Sequence, residues 1–224
     1  MRRGPRGTAV LLATCLWVGC LGSSAGELRL KLSRAGQPVT GAVVELLPDG
    51  GSAPKPMDAV MDQVNTEFVP RQLVVTRGSA VSFPNSDVTR HQVYSFSPAK
   101  RFELPLYSGT PPDPVVFESA GVVTLGCNIH DAMIGFIVVV DSDHWAVTDA
   151  GGAVRFEVPA GRYSVRLWHE RMQGEQPVHP LQVSADGTQH LEFELALGPP
   201  PPPRGSDRLR ALQERLRERQ RETD

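Results

Sequence analysis

The chain contains few cysteines, few aromatic residues and almost no net charge. Its 224 residues include three cysteines and 6% aromatic residues, and the formal net charge is −2. Three cysteines are too few for a disulfide framework or a zinc ribbon. The charge balance excludes a chain-wide nucleic-acid surface, and the overall composition excludes a multi-pass membrane protein.

Glycine and proline are plentiful, and short apolar runs recur between them. The 21 glycines and 20 prolines favour strands joined by turns over long helices. Apolar runs spaced about ten residues apart, with turn residues between them, are typical of a β-sandwich or barrel. The nearly continuous apolar run Ile134–Val140 predicts a core strand, whereas the proline-rich stretch from Pro105 to Pro114 predicts a loop. We therefore expect an all-β fold.

The first 25 residues have the pattern of a secretory signal peptide. Three arginines precede an apolar run of 14 residues, Thr8–Leu21, and small residues end the segment at Ala25. This run is short for a membrane span. We therefore predict export to the periplasm or the medium, with no membrane span in the mature chain. Two alternatives stay open: a short membrane anchor, and lipidation at Cys20, because residues 16–20 resemble a bacterial lipobox.

Three residues with metal-binding side chains stand close together between two apolar runs. They are Cys127, His130 and Met133, each three residues after the one before. Signal cleavage would remove the other two cysteines and leave Cys127 as the only cysteine of the mature chain. One thiolate, two imidazoles and a long axial thioether form a blue-copper site. His91 is the best candidate for the second imidazole, because it follows the end of the predicted strand Ala80–Phe83. The alternative is that each residue only packs or lies at the surface.

Two longer motifs surround these candidate residues. They are Val75-x2-Gly78-x2-Val81-x-Phe83-x-Asn85 leading to His91, and Gly121-x3-Leu125-x-Cys127-x2-His130-x2-Met133-x-Gly135-x-Ile137. On these motifs the segment 58–141 resembles the cupredoxins, most closely amicyanin and plastocyanin, and similar chains are described as methylamine-utilisation-type proteins. The resemblance implies a Greek-key β-sandwich and one type 1 copper ion. It also implies His91, Cys127 and His130 as equatorial ligands and Met133 as the axial ligand.

One position departs from the cupredoxin pattern. The residue after the first ligand histidine is often Asn in that family, where its side chain ties the two ligand loops together. Here the residue is Gln92. We expect its longer side chain to make that tie less well.

The segments on either side of the cupredoxin-like region have a second β pattern. Gly36–Leu46 and Val147–Val165 combine turn residues with alternating apolar residues, and they resemble the two halves of a carboxypeptidase-regulatory-like, transthyretin-type β-sandwich. The alternative is a set of extra strands packed on the cupredoxin. The predicted organisation is a signal peptide (1–25), first strands of the regulatory-like sandwich (26–48), a linker (49–56), the cupredoxin (57–142), the remainder of the regulatory-like sandwich (143–197), and a proline-rich linker with a basic helical tail (198–224).

The leading functional hypothesis is an exported one-electron carrier whose redox partner is a protein such as a cytochrome or a dehydrogenase. The edge of His130 would pass the electron, surrounded by apolar residues such as Ala132 and Ile134. The alternatives are copper storage or delivery, and a non-redox binding module of the cell envelope.

An enzyme is not expected from the sequence. Cys127 and His130 share one tight loop, and no separate base is evident for a cysteine protease. A binuclear copper centre needs a second cysteine. Copper oxidases and nitrite reductases need further histidine clusters beside the cysteine, and the sequence has none.

Overall fold

The structure is a computed structural model that describes residues 25–111, 113–172 and 178–200. All regular elements within these ranges are β-strands, so the prediction of an all-β chain is confirmed. Among these residues there is no helix that is long and apolar enough to cross a membrane. The predicted signal peptide, apart from Ala25, the lipidation alternative at Cys20 and the predicted tail helix lie outside the described residues.

Most strands alternate buried and exposed residues, as expected for sheets with one buried face. In chain order the strands are β1 (Ala25–Arg34), β2 (Gln37–Pro38), β3 (Val43–Pro48), β4 (Asp58–Val60), β5 (Asp62–Val64), β6 (Glu67–Val69), β7 (Gln72–Thr76), β8 (Ser79–Ser82), β9 (His91–Ser97), β10 (Lys100–Tyr107), β11 (Val115–Phe117), β12 (Gly121–Gly126), β13 (Ile134–Val140), β14 (Trp145–Val147), β15 (Ala153–Pro159), β16 (Gly161–Trp168), β17 (Val178–Val183) and β18 (Thr188–Glu194). In β1, Leu28, Leu30 and Leu32 are buried, whereas Arg29 and Lys31 are exposed.

The middle of the chain forms two larger sheets and the two-stranded sheet β5-β6 around one hydrophobic core, and we call this unit the central sandwich. One sheet has the strand order β10-β9-β12-β13-β7, and the other has the order β11-β8-β4. Both sheets contribute buried side chains to the core, among them Val81, Val93, Phe117, Leu125 and Ile137. Cys127 and Met133 belong to the same core cluster. The segment between β12 and β13 is therefore packed against the centre of this sandwich.

Strands from both ends of the chain form a second pair of sheets, which we call the flanking sandwich. One sheet has the order β15-β1-β18, with β2 added to β1, and the other has the order β14-β3-β16-β17. Their shared core includes Leu28, Leu46, Phe156, Val165 and Leu167. The residue boundaries that the sequence suggests for the two domains remain a prediction.

A smaller apolar cluster joins the two sandwiches. Val43 and Trp168 come from the flanking sandwich, and Val74, Val138 and Val140 come from the central sandwich. All five are buried. The two sandwiches are therefore in direct apolar contact through this cluster, and burial of apolar area stabilises such a contact by about 25 cal/mol per Å².

The prediction of a loop from Pro105 onward is wrong for its first part, because β10 continues to Tyr107. Proline lacks the N–H that a central strand needs. However, β10 is an edge strand, and its pairing with β9 shifts between Leu104 and Tyr107, around the proline. Pro180 in β17 is tolerated in a similar way, since β17 is also an edge strand.

Candidate metal centre

Three strands bring the predicted ligands together. β12 and β13 pair antiparallel until Gly126 lies opposite Ile134, so residues 127–133 form the closed loop between them. His91 is the first residue of β9, which pairs with β12 through Tyr94 and Gly126. The start of β9 and the loop after β12 therefore meet at one place, as the sequence motifs predict.

Donor atoms of His91, Cys127 and His130 all lie within 4.8 Å of one another. The Cys127 Sγ is 3.9 Å from His91 Nδ1, and the two imidazole centroids are 5.0 Å apart. Within the part of the chain that the structure describes, no other group of histidine, cysteine and acidic side chains has this spacing.

The candidate ligands differ in their access to solvent. His91 is 0% exposed, Cys127 is 3% exposed and Met133 is 1% exposed, whereas His130 is only partly buried. Met133 shares a core cluster with Cys127, and both residues line the same cleft. Three of the four candidate ligands are therefore buried, and one imidazole is partly accessible to solvent.

The donor atoms fit a soft metal ion. The Nδ1 atom of His130 is buried and has no hydrogen-bond partner, although a buried polar atom without a partner costs about 1–3 kcal/mol. The Nδ1 atom of His91 faces the Cys127 thiol. A thiolate and two imidazoles, with a thioether close by, form the donor set that copper prefers. A metal ion bound here would give the orphaned nitrogen a partner.

Asp87 orients the buried histidine. Its Oδ2 accepts a hydrogen bond from His91 Nε2 at 3.1 Å, while Nδ1, on the other side of the ring, faces Cys127. Such outer-shell partners fix the tautomer of a ligand histidine. The backbone N–H of Thr66, and then His91, hold the pKa of Asp87 below its ordinary value. This role of Asp87 could not be predicted from the sequence, because a spacing of four residues in a loop does not indicate a contact.

Asn85 fixes the loop that precedes His91. Its Nδ2 donates to the carbonyl oxygens of Thr89 and Tyr107, both at 2.9 Å, and its Oδ1 accepts a hydrogen bond from the Asp87 N–H at 3.0 Å. Its buried amide therefore connects the loop to the end of β10. This explains why Asn85 stands in the first motif.

Gln92 bonds away from the ligand loop. Its Nε2 donates to Glu103 Oε1 at 2.5 Å, and Glu103 lies on the edge strand β10. The side chain therefore ties β9 to β10. Asn85 and Asp87 hold the loop before His91 instead.

An open cleft of about 500 Å³ lies beside Cys127. Tyr94 and Phe96 line it, with their ring centroids 5.2 Å apart, and Phe96 is 76% exposed. Tyr94 also covers Gly126, where an added Cβ would be 2.7 Å from the tyrosine ring. Only glycine fits at this position without a shift of the ring.

Gly126→Ala is therefore expected to destabilise the protein by about 1 kcal/mol, the lower end of the usual cost of overpacking, because the atoms in the way belong to the far end of the partly buried Tyr94 side chain. Chemical denaturation would measure the change. Gly50→Ala is a matched control with no atom within 4 Å of its added Cβ, and its effect should stay within about 0.5 kcal/mol. Replacing Tyr94 by Leu in the Gly126→Ala protein should recover part of the loss. Equal stability of the two alanine variants would contradict this packing.

No family model matches the chain, and no curated protein matches it in sequence. Among solved structures, a purple cupredoxin from Nitrosopumilus maritimus is 24% identical, with 37% of this chain and 100% of that chain covered and a TM-score of 0.34. A copper-containing nitrite reductase from Thermus scotoductus is 24% identical, with 43% of this chain and 25% of that chain covered and a TM-score of 0.35. A reduced amicyanin variant is 20% identical, with 43% of this chain and 99% of that chain covered and a TM-score of 0.34. The structural neighbours are cupredoxins.

Proposed function

We propose that the protein is an exported, mononuclear blue (type 1) copper protein that carries single electrons between redox partners. The observation that supports this most is the convergence of the His91, Cys127 and His130 donor atoms within 4.8 Å in a buried pocket. His91, Cys127 and His130 would hold the metal, and Met133 would be the axial ligand. Bound copper supplies a one-electron couple between Cu(I) and Cu(II).

The protein frame suits a site that changes charge but not shape. His91 is held by Asp87 at 3.1 Å, and the Met133 N–H donates to the His130 carbonyl oxygen at 2.8 Å. The side chains of Cys127 and Met133 are themselves buried in the core of the central sandwich. A site held in place by this packing keeps rearrangement small when the charge of the metal changes.

The contact with a partner would form around His130. This residue is partly exposed, and the ligand loop and its end present exposed apolar side chains at Ile129, Ala132 and Ile134. An apolar surround lets a redox protein, such as a cytochrome or a dehydrogenase, come close to the imidazole edge. Periplasmic or secreted location follows from the predicted signal peptide, and a lipid anchor at Cys20 is its alternative.

The visible spectrum of the copper-loaded protein tests this proposal. We expect an intense thiolate-to-copper absorption band and a reversible one-electron reduction. A carrier should hold copper in both oxidation states, whereas a storage or delivery protein should release it to a competing chelator in one of them. A colourless Cu(II) form would refute the blue-copper proposal, and rapid release of copper would favour delivery.

Met133→Gln tests the axial position separately. An amide oxygen is a harder ligand than a thioether, so we expect copper to stay bound while the reduction potential shifts. Voltammetry of both proteins would measure the shift. Complete loss of copper, or an unchanged potential, would contradict an axial role for Met133.

A further inference from the structure

Arg71 lies between the ligand loop and the flanking sandwich. Its Nη1 donates to the carbonyl oxygen of Ile134 at 2.9 Å, and its Nε donates to Glu170 Oε2 at 2.9 Å. The guanidinium carbon is 5.4 Å from the centroid of the Phe136 ring. The Arg71 and Glu170 side chains are 27% and 25% exposed, so the pair is largely covered.

Glu170 belongs to a turn that hydrogen bonds hold in place. The Arg171 side chain donates to the Gly198 carbonyl oxygen through Nε at 2.9 Å and Nη2 at 2.6 Å, and the Gly198 N–H donates to the Arg171 carbonyl oxygen at 2.9 Å. Just before the turn, Trp168 packs on Phe136 with their ring centroids 5.5 Å apart. The carboxylate of Glu170 is therefore presented to Arg71 from a fixed position.

We propose that Glu170 and Arg71 are positioning residues for Met133, so that the flanking sandwich sets the geometry of the metal centre. The role at the metal rests on the function proposed above. Ile134 directly follows Met133 in the chain, and the Met133 N–H bonds to His130. Fixing the carbonyl of Ile134 therefore restricts the backbone on which the predicted axial ligand stands.

The geometry separates this contact from an ordinary surface ion pair. Exposed pairs contribute about 0–1 kcal/mol and hold no fixed geometry. Here one planar guanidinium bonds a carboxylate and a backbone carbonyl at the same time, which the point charge of lysine does not reproduce. The contact joins residues 99 positions apart in the chain. Its effect is thus expected in the loop conformation rather than in overall stability.

Hydrogen exchange of the metal-free protein tests the mechanical part. In Glu170→Ala and in Arg71→Met, which each remove one of the two partners, we expect the Met133 amide to exchange about fivefold faster, which corresponds to the loss of one ordinary hydrogen bond. Glu157→Ala is the control, because Glu157 pairs with Arg155 on an exposed face of the flanking sandwich. Unchanged exchange at Met133 in both test variants would overturn the proposal.

The reduction potential of the copper-loaded variants tests the effect on the metal. Removing the charge of Glu170 and removing the charge of Arg71 alter the local potential in opposite directions if only electrostatics acts. A positioning role predicts shifts of the same sign, and it predicts that both shifts become much smaller in a Met133→Leu background. Opposite signs, or full shifts in that background, would overturn it. If the unmodified protein shows no blue copper, the proposed function fails, while the exchange experiment still decides the mechanical role.

Discussion

Cys127→Ser is expected to remove the intense visible absorption of the copper-loaded protein. The band requires charge transfer from a thiolate, and a neutral hydroxyl of nearly the same size cannot supply it. Cys127 is the only cysteine within the described ranges, and its Sγ is 3.9 Å from His91 Nδ1. Copper affinity should also fall, because a direct ligand is lost. We expect this loss to exceed the roughly 10–100-fold that removal of an outer-shell partner typically costs. Absorption spectroscopy and copper titration would measure both effects.

Met61→Leu is the matched control for this substitution. Met61 is fully buried in the same core cluster as Cys127, but it is not among the predicted ligands. Its replacement by Leu conserves volume and is expected to cost less than about 1.5 kcal/mol. The control should keep the absorption band. A band that survives in Cys127→Ser, or that disappears equally in the control, would refute the assignment of the thiolate.

The proximity of the candidate ligands could be predicted from the sequence because most of its information is local. Cys127, His130 and Met133 stand within seven residues, and the apolar runs on both sides predict the strands that hold them. His91 could be added because it follows a predicted strand end. The roles of Asp87 and Asn85 depend on the exact path of the loop that precedes His91, which composition and alternation do not determine. Their hydrogen bonds therefore became visible only in the structure.

Long-range polar contacts could not be predicted for the same reason. Arg71 and Glu170 are separated by 99 positions, and nothing in either local sequence indicates the other. The alternation within Val147–Val165 agrees with β15 and the first half of β16, because each buries one face. Pro105 suggested a loop because proline is excluded from central strands, although edge strands tolerate it. The sequence did not indicate an edge strand here, because the position of a strand within a sheet is not a local property.

Arg166→Met is expected to cost about 3 kcal/mol of unfolding free energy at neutral pH, the low end of the usual cost of breaking a buried ion pair, because the Arg166 side chain is 30% exposed and water screens part of its charge. The Glu45 side chain is 4% exposed, and Arg166 Nη1 donates to its Oε2 at 2.9 Å. The Asp141 N–H donates to the other carboxylate oxygen. Methionine conserves most of the arginine stem but leaves the carboxylate with one partner. Urea unfolding of both proteins would measure the difference.

The loss should depend on pH, because burial raises the pKa of Glu45 even though the Asp141 amide and Arg166 oppose the shift. A raised pKa in the folded state means that the contribution of Glu45 to stability is fully present below the ordinary Glu value of about 4.3 and is lost as pH rises through the folded value. Without Arg166 the folded pKa rises further, so the defect of Arg166→Met should be small in acid and grow toward neutral pH. Adding Glu45→Gln to Arg166→Met removes the charge and should flatten this dependence. A loss of unfolding free energy that stays constant from acid to neutral pH would show that lost packing, rather than the unpaired carboxylate, accounts for the instability.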